Sequence, residues 1–287
     1  LEFGDFNPAY ISVPNANYVF SIQDSTQSVV VAEYSAPLAA LGLSDTSLVV
    51  VASGFLDPSS NNNGAAFGLF AATPGGGPML ALPQSTAPVQ VIHNCADTAA
   101  AIVDVWVNNA KAIPNFVFRT ATPFVDLPTG VNLDISITAP NSVDTTGAVF
   151  RLSGANLAAN DKYIIVASGD VSVPTTTPFG LSIQNMAREE AGNAGETDVL
   201  VFHGSTDAPG VDVVEVGVGA GTIIDNLEYG NFQGYANLPT DDYVLSVQDS
   251  TQNVIVREYN ASLASFGLQD SAIVVLASGF LDPASAP

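Results

Sequence analysis

The only two histidines of the chain occupy equivalent positions in a repeated stretch, and they are the first residues to consider for chemistry. His93 stands in VIHNCAD and His203 in VFHGSTD. Alternate residues of a β-strand share a face, so His93 is predicted to neighbour Cys95, and His203 to neighbour Ser205. A Cys–His or Ser–His pair of this kind could act as a nucleophile activated by a base.

The surrounding residues favour a structural role for these histidines. No Gly-x-Ser-x-Gly turn accompanies either one, and such a turn is what presents the serine in many hydrolases. An aspartate follows four residues after each histidine, as Asp97 and Asp207. We therefore predict that each imidazole lies at a strand end and bonds to this aspartate or to turn backbone, and that the protein is not an enzyme.

Metal binding is the second chemistry to weigh. Zinc requires three or four convergent ligands, whereas each repeat offers one histidine and one aspartate of this motif. Calcium suits an acidic chain, but no D-x-[DN]-x-[DN]-G loop occurs, and Asp241-Asp242 is the only aspartate pair. The sequence thus predicts no cofactor, with a structural calcium ion as the open alternative.

Two further aspartates and the single tryptophan lie inside the predicted strands. Asp104 and Asp212 each stand in a V-D-V run, and alternation points them away from the valines, toward solvent or a turn. Trp106 has the same parity as Asp104, so it either packs in a partly buried position or stacks on a sugar ring or a neighbouring domain. Asn260-Ala261-Ser262 matches the glycosylation sequon in principle.

The elements that would position these residues are short strands. Apolar runs rich in Val, Ile, Tyr and Phe alternate with turn clusters of Gly, Pro, Asn, Asp and Ser, which predicts an all-β fold of immunoglobulin-like β-sandwiches. The stretch APLAALGL at 36–43 favours one short helical turn between strands. No long helix is expected.

The chain repeats its beginning near its end. Residues 18–58 align without gaps on 243–283, with 27 of 41 positions identical, both ending in GFLDP. A weaker repeat relates 89–107 to 199–216, and residues 1–14 match 226–239. We predict three tandem copies: 1–85, lacking its opening strands; 86–196, complete; and 197–287, lacking its closing segment. The linkers are placed at 75–78 and 187–198.

Composition argues against some classes of partner and against stabilisation by disulfides. The chain has 287 residues, of which 47% are hydrophobic and 12% charged, and its net charge is -22. Such a surface repels phosphates and anionic lipid headgroups, so neither nucleic acid nor membrane insertion is expected. A single cysteine excludes an internal disulfide framework, so stability must come from packing.

A family resemblance follows from the motif H-x-x-x-D-x-(A)-x-V-D-V, followed by N-(L/F)-x-(F/Y)-G and L-P-x-x-x-Y. The chain resembles the domain-of-unknown-function 4397 family, and this resemblance implies secreted or cell-surface proteins with tandem immunoglobulin-like domains and no established activity. The middle copy departs at Arg119, where the third copy has Gly230. The motif residues are His203, Asp207, Ala208, Pro209, Val211, Asp212, Val213, Asn226, Leu227, Tyr229, Gly230, Leu238, Pro239 and Tyr243, with His93, Asp97, Val103, Asp104, Val105, Asn115, Phe118, Leu127 and Pro128 in the middle copy.

These features lead to two functional hypotheses. The first is a secreted structural protein, one subunit of an extracellular filament, stalk or surface layer that assembles head to tail with copies of itself or with further domains of a longer chain. The second is an adhesin-type binding module for glycan or a surface protein. Incomplete outer copies predict strand donation, and the apolar segment with Phe67, Leu69 and Phe70 is the predicted donor.

Overall fold

A computed structural model describes residues 4–26, 29–172, 176–251 and 254–286, and within these ranges the fold is all-β and of the sandwich type. The chain divides into two compact units. Unit 1 comprises Leu1–Thr86, Pro128–Val131 and Leu157–Ala159, and unit 2 comprises Ala87–Leu127, Asn132–Asn156 and Asn160–Pro287. The helical elements of the described residues are single 3-10 turns at Ser59–Asn61, Thr98–Ala100 and Pro283–Ser285.

Unit 1 packs a two-stranded sheet on a three-stranded one. Its core contains Tyr34 and Leu69, together with Leu82 and the partly buried Tyr18 and Phe20. The sheets have the orders β1-β2 and β3-β4-β5. The strands are β1 (Asn17–Gln23), β2 (Val30–Pro37), β3 (Val49–Ser53), β4 (Gly68–Ala72) and β5 (Leu80–Leu82).

The first half of unit 2 is a sandwich that we call the middle sandwich. Its two sheets have the orders β10-β6-β13-β14, with β9 also on β6, and β12-β11-β7-β8. Its strands are β6 (Thr86–His93), β7 (Ile102–Val107), β8 (Ala110–Val117), β9 (Thr120–Ala121), β10 (Val125–Pro128), β11 (Leu133–Thr138), β12 (Phe150–Ala155), β13 (Tyr163–Ser168) and β14 (Gly180–Gln184).

The second half, the third sandwich, repeats this arrangement without a partner corresponding to β14 among the described residues. Its sheets have the orders β18-β15-β21 and β17-β16-β19-β20. Its strands are β15 (Glu196–His203), β16 (Val211–Glu215), β17 (Gly221–Leu227), β18 (Phe232–Pro239), β19 (Asp242–Asp249), β20 (Ile255–Ser262) and β21 (Ala272–Ala277). In both sandwiches the first strand pairs in parallel with the strand that contains the alanine of an Ala-Ser-Gly sequence: β6 with β13, and β15 with β21.

The two sandwiches of unit 2 share a hydrophobic cluster. Ile164 and Val166 of β13 pack in one cluster with Leu200 and Phe202 of β15, while the opposite face of these sheets covers each sandwich's own core. Strands buried on both faces are apolar at nearly every position rather than alternating. This explains the run YIIVAS, in which every residue is buried.

The predicted linkers belong to folded regions. Residues 75–78 lie between β4 and β5, which pair as an antiparallel hairpin. The N–H of Ala191 donates to the carbonyl of Asp270, and Gly192 donates to the carboxylate of Asp198, so the second predicted linker lies against the third sandwich. The predicted helical turn forms as one hydrogen-bonded turn, in which Leu41 N–H donates to the carbonyl of Pro37.

Candidate functional site

The imidazole of His93 is bonded on both sides by the main chain. Its Nε2 lies 2.8 Å from the carbonyl oxygen of Ala100, and the N–H of Cys95 lies 3.4 Å from its Nδ1. A carbonyl only accepts, so Nε2 carries the proton and Nδ1 is the acceptor, which describes a neutral ring. Burial lowers the pKa of His93, and the bond to Ala100 only partly offsets that effect.

His203 repeats this geometry in the third sandwich. Its Nε2 lies 2.9 Å from the carbonyl oxygen of Pro209, and the N–H of Ser205 lies 3.4 Å from its Nδ1. Both histidines are fully buried. Of the predicted partners, turn backbone rather than Asp97 or Asp207 takes the imidazole proton. Each ring therefore ties the end of a strand to the following loop.

The predicted pairing of Cys95 and Ser205 with the rings is made by their backbone N–H groups. The thiol of Cys95 instead donates to the carbonyl of Gly169 at 2.9 Å. Burial, with smaller contributions from nearby Asp97 and Asp170, raises the pKa of this thiol to about 12. A nucleophilic cysteine requires a thiolate, so Cys95 at neutral pH is a packing residue.

Asp97 and Asp207 bind the chain that follows the last parallel strand of each sandwich. One oxygen of Asp97 accepts from Ala99, and the other accepts from Val171 and Ser172 at 3.0 and 2.8 Å. Burial would raise the pKa of Asp97, but these donors outweigh it and the net shift is downward.

Asp207 is the counterpart in the third sandwich. Its oxygens accept from the N–H groups of Leu281 and Asp282 at 2.7 and 2.8 Å. These two donors belong to the second copy of GFLDP. The histidine–aspartate motif thus closes each sandwich of unit 2 by joining its first strand to the segment after its last parallel strand.

Asp104 is fully buried, so of its two predicted placements the one facing solvent is wrong, and the carboxylate instead anchors main chain. Its carboxylate accepts from Lys111 Nζ at 2.6 Å, from the N–H of Asn115 at 2.7 Å and from Ser142 N–H at 3.0 Å. Alternation assigned Asp104 to the outer face correctly, but Lys111 and the loop at Ser142 cover that face. Burial would raise the pKa of Asp104, yet the bonds from Asn115, Lys111 and Ser142 lower it overall.

Asp212 is half-buried, with a simpler partner set. Its carboxylate accepts from the N–H of Asn226 at 2.7 Å, as Asp104 accepts from Asn115. Both asparagines have φ of 50°, where asparagine is better tolerated than most side chains. In each sandwich the aspartate of the V-D-V run therefore bonds to an asparagine in the left-handed backbone conformation. The asparagine lies where the pairing of β7 with β8, or of β16 with β17, is irregular.

Trp106 is also buried, and its Nε1–H donates to Thr138 Oγ1 at 3.0 Å. The ammonium of Lys111 lies 5.0 Å from the centre of its ring. The indole therefore has its contacts within the protein, with Thr138 and Lys111, and is not free to stack on a sugar.

Two residues with clear roles were missed by sequence reasoning. Asn94 donates to the carbonyls of Gly204 and Ala277 across the two sandwiches, and a Cβ on Gly204 would lie 2.0 Å from its amide nitrogen. Asn94 and Gly204 are equivalent positions in the two repeats, and this change of residue type is the signal that could have been read. It marks a close approach at which a side chain on residue 204 would displace the amide of Asn94.

Glu215 is the other missed residue. Desolvation would raise its pKa, but backbone N–H donors from Ala220, Val218, Gly217 and Val244 outweigh this effect and lower the pKa to about 2. The carboxylate thereby organises the loop between β16 and β17. No residue spacing in the sequence distinguishes it from an exposed glutamate.

Unit 2 also contains a cleft of about 550 Å³ between its two sandwiches. Arg119 and Arg188 line it, but Arg119 donates to the hydroxyl and carbonyl of Ser278, and Arg188 donates to Asp198. Both guanidinium groups are thus engaged by the protein itself. Across the described ranges, no three His, Cys, Asp or Glu side chains converge as a metal site would require.

The predicted strand donor lies inside unit 1. Phe67 precedes β4, which contains Leu69 and Phe70, and β4 pairs with β3 on one edge and β5 on the other. Phe67 and Leu69 pack in the core of unit 1, as Phe179 and Leu181 do in the middle sandwich. Donation to another molecule would require this strand to leave its sheet, and the donor role stays a prediction.

These features define a class: an all-β protein of repeated sandwich domains whose most prominent polar motifs close the domains. A family model described as "Domain of unknown function (DUF4397)" matches residues 87–214 and 197–266, which is more than half of the chain. The chain belongs to this DUF4397 family. No curated protein matches it. In the part of the chain that the structure describes, no helix is long and apolar enough to cross a membrane.

Proposed function

We propose that this protein is a structural subunit of an extracellular array, a filament, stalk or surface layer in which sandwich domains join head to tail. The main support for the proposal is the role of the His–Asp motif, whose side chains close the sandwich domains. His93, Asp97, His203 and Asp207 all bond to main-chain groups of their own sandwich. A motif used in this way supports a building module rather than a reaction centre.

The sheet edges supply the contacts that an array needs. β3 in unit 1 and β21 in the third sandwich each have one edge without a partner strand among the described residues. Open edges pair readily with other strands, so these edges can join sandwich domains head to tail, whether the next domain belongs to a further copy or to a longer chain. The net charge of -22 then keeps lateral surfaces apart while specific edges associate.

Electron microscopy of the full chain over a concentration series tests the proposal. We expect fibres or sheets with a regular repeat, and a sedimentation coefficient that rises with concentration. Val275→Lys introduces a charge on the open strand β21 and should reduce assembly strongly. Val218→Lys, in the loop between β16 and β17, is the matched control and should assemble normally.

A chain that stays monomeric at high concentration, with no fibres, would contradict this function. Saturable binding to a glycan array by that monomer would then favour the adhesin hypothesis. A turnover abolished by His93→Ala or His203→Ala would overturn the structural class altogether.

A further inference from the structure

The two sandwiches of unit 2 meet through the same surface of each. Ile92 and Phe202 occupy equivalent positions in the two repeats, and both belong to the hydrophobic cluster that the sandwiches share. The same holds for Val166 and Leu276, each of which stands two residues before the serine of an Ala-Ser-Gly sequence. Matching positions that meet across a boundary indicate an isologous, two-fold contact.

Polar contacts across this surface are reciprocal. Arg119 of the middle sandwich donates to the hydroxyl and the carbonyl of Ser278 in the third, at 3.1 and 2.9 Å. In the opposite direction, Tyr229 of the third sandwich bonds to Ser168 of the middle one; burial raises the pKa of Tyr229, and this bond partly offsets the rise. Ser168 and Ser278 are equivalent, and Tyr229 corresponds to Phe118, the neighbour of Arg119. The contacts therefore run both ways between the same two regions, as in a two-fold pair.

One position on this surface contacts its own counterpart. Asn94 and Gly204 are equivalent in the two repeats, and the amide of Asn94 donates to the carbonyl oxygens of Gly204 and Ala277 at 3.4 and 3.1 Å. A residue that meets its own equivalent lies at the two-fold axis. A Cβ on Gly204 would lie 2.0 Å from the amide nitrogen of Asn94. Two side chains therefore do not fit at the axis together unless one of them moves.

The possible residue pairs at the axis differ in what they offer. Asparagine facing glycine makes the two hydrogen bonds seen here. Glycine facing glycine would remove the donor of both bonds. Asparagine facing asparagine would place a Cβ in the space that the opposite amide occupies. Bonds to the right partner combined with a clash against the wrong one are a general source of specificity.

We propose that this surface is a pairing face by which one sandwich recognises an unlike copy of its own domain type, and that the Asn94–Gly204 pair selects that copy. A sandwich with asparagine at the axis fits a sandwich with glycine there, and a like copy is disfavoured. In an array, such pairs would join through other surfaces, because a closed contact does not propagate. The inference goes beyond the proposed function, since it concerns recognition between two sandwiches whether or not chains assemble.

The test exchanges the two axis residues in the full chain and follows thermal unfolding of unit 2 by the fluorescence of Trp106, the only tryptophan. Asn94→Gly loses both hydrogen bonds and should lower the melting temperature by about 4 °C. Gly204→Asn should lower it further, because the new side chain displaces the amide of Asn94 and also crowds the axis.

The double variant Asn94→Gly with Gly204→Asn reverses the pair and should recover about half of the loss caused by Gly204→Asn, or more. The introduced asparagine then faces glycine, and the two-fold contact offers it the carbonyl of Ala167, the equivalent of Ala277. Gly204→Asn and the double variant share the same new Cβ, which would lie 2.9 Å from a ring carbon of Phe202. Any cost of that contact is common to both, so their difference reports position 94 alone.

Asn156→Gly, at an exposed asparagine of the middle sandwich, is the matched control for Asn94→Gly and should shift the melting temperature by less than about 2 °C. A Gly204→Asn variant as stable as the parent would overturn the inference, as would a double variant no more stable than Gly204→Asn. If Gly204→Asn does not fold, Asn94→Gly decides: a loss no larger than that of Asn156→Gly would reject the role of the axis pair, and a clearly larger loss would support it.

Discussion

The segments 18–58 and 243–283 are closely related in sequence, yet their tyrosines lie in different surroundings. Tyr34 is 6% exposed, whereas its counterpart Tyr259 is 53% exposed. Tyr34 packs on Phe67 and the closing strands β4 and β5, and the third sandwich has no such strands in its described residues. Burial raises the pKa of Tyr34.

The reverse holds at the other end of the same segments. Tyr243 is buried with Val199 of β15, while Tyr18 is only partly buried because unit 1 has no strand corresponding to β15 among its described residues. Their local structure is nevertheless shared, since each hydroxyl donates to the carbonyl of the proline four residues earlier. The segment thus carries its own strands and turns, and the strands on either side decide its burial.

The largest expected contrast is between Tyr34→Ala and Tyr259→Ala. Removing the buried ring of Tyr34 should lower the free energy of unfolding of unit 1 by about 3 kcal/mol, as for other large core truncations. Tyr259→Ala should cost less than about 0.5 kcal/mol, because the ring is largely in water. Calorimetry of the full chain measures both. Equal costs would mean that the closing strands do not protect Tyr34.

Phe232→Ala and Phe6→Ala provide the second contrast, between the matching segments 226–239 of the third sandwich and 1–14 of unit 1. Phe232 packs on Phe202, so its removal should cost unit 2 about 2 kcal/mol. Phe6→Ala should change the stability of unit 1 by less than about 0.5 kcal/mol, since this ring is exposed. Urea unfolding provides the comparison. A large loss for Phe6→Ala would show that residues 6–14 already have a partner.

Asp207→Asn should have a smaller effect, confined to unit 2. The variant weakens two hydrogen bonds to a half-buried carboxylate, which should cost about 1 to 2 kcal/mol. Asp225→Asn, at an exposed position of β17, is the matched control. Indistinguishable unfolding of the two variants would remove Asp207 from the closure of the third sandwich.

The smallest predicted effect is the pH dependence of the stability difference between the parent protein and Asp207→Asn. Desolvation would raise the pKa of Asp207, but donors from Asp282, Leu281 and Ser205 lower it overall. A depressed pKa contributes stability that is present above the unfolded value, about 3.9, and is lost as the pH falls through the folded value. The gap in stability between the parent protein and Asp207→Asn should therefore be constant above about pH 5 and shrink below about pH 4. A gap that grows on acidification would contradict this assignment.

Much of the fold follows from local patterns. Alternating apolar residues and turn clusters predicted the all-β sandwich class, and the weaker repeat aligned β15 and β16 with β6 and β7. The bonding of His93 and His203 to turn backbone was one of two predicted alternatives, and turn carbonyls rather than Asp97 and Asp207 take their protons. These features depend on neighbours within a few residues or on repetition of whole segments.

The strands, their repetition and the place of each histidine at a strand end follow from the sequence alone, because strand periodicity and turn chemistry act over short distances. The long-range bonds by which Asp97 and Asp207 close the sandwiches do not. Only the tertiary structure decided that Asp104 and Trp106 are buried, and that Tyr34 and Tyr259 differ. Alternation shows which residues share a face of a sheet, but burial depends on what covers that face. The covering groups come from distant parts of the chain, as Ser142 covers Asp104 and Phe67 covers Tyr34.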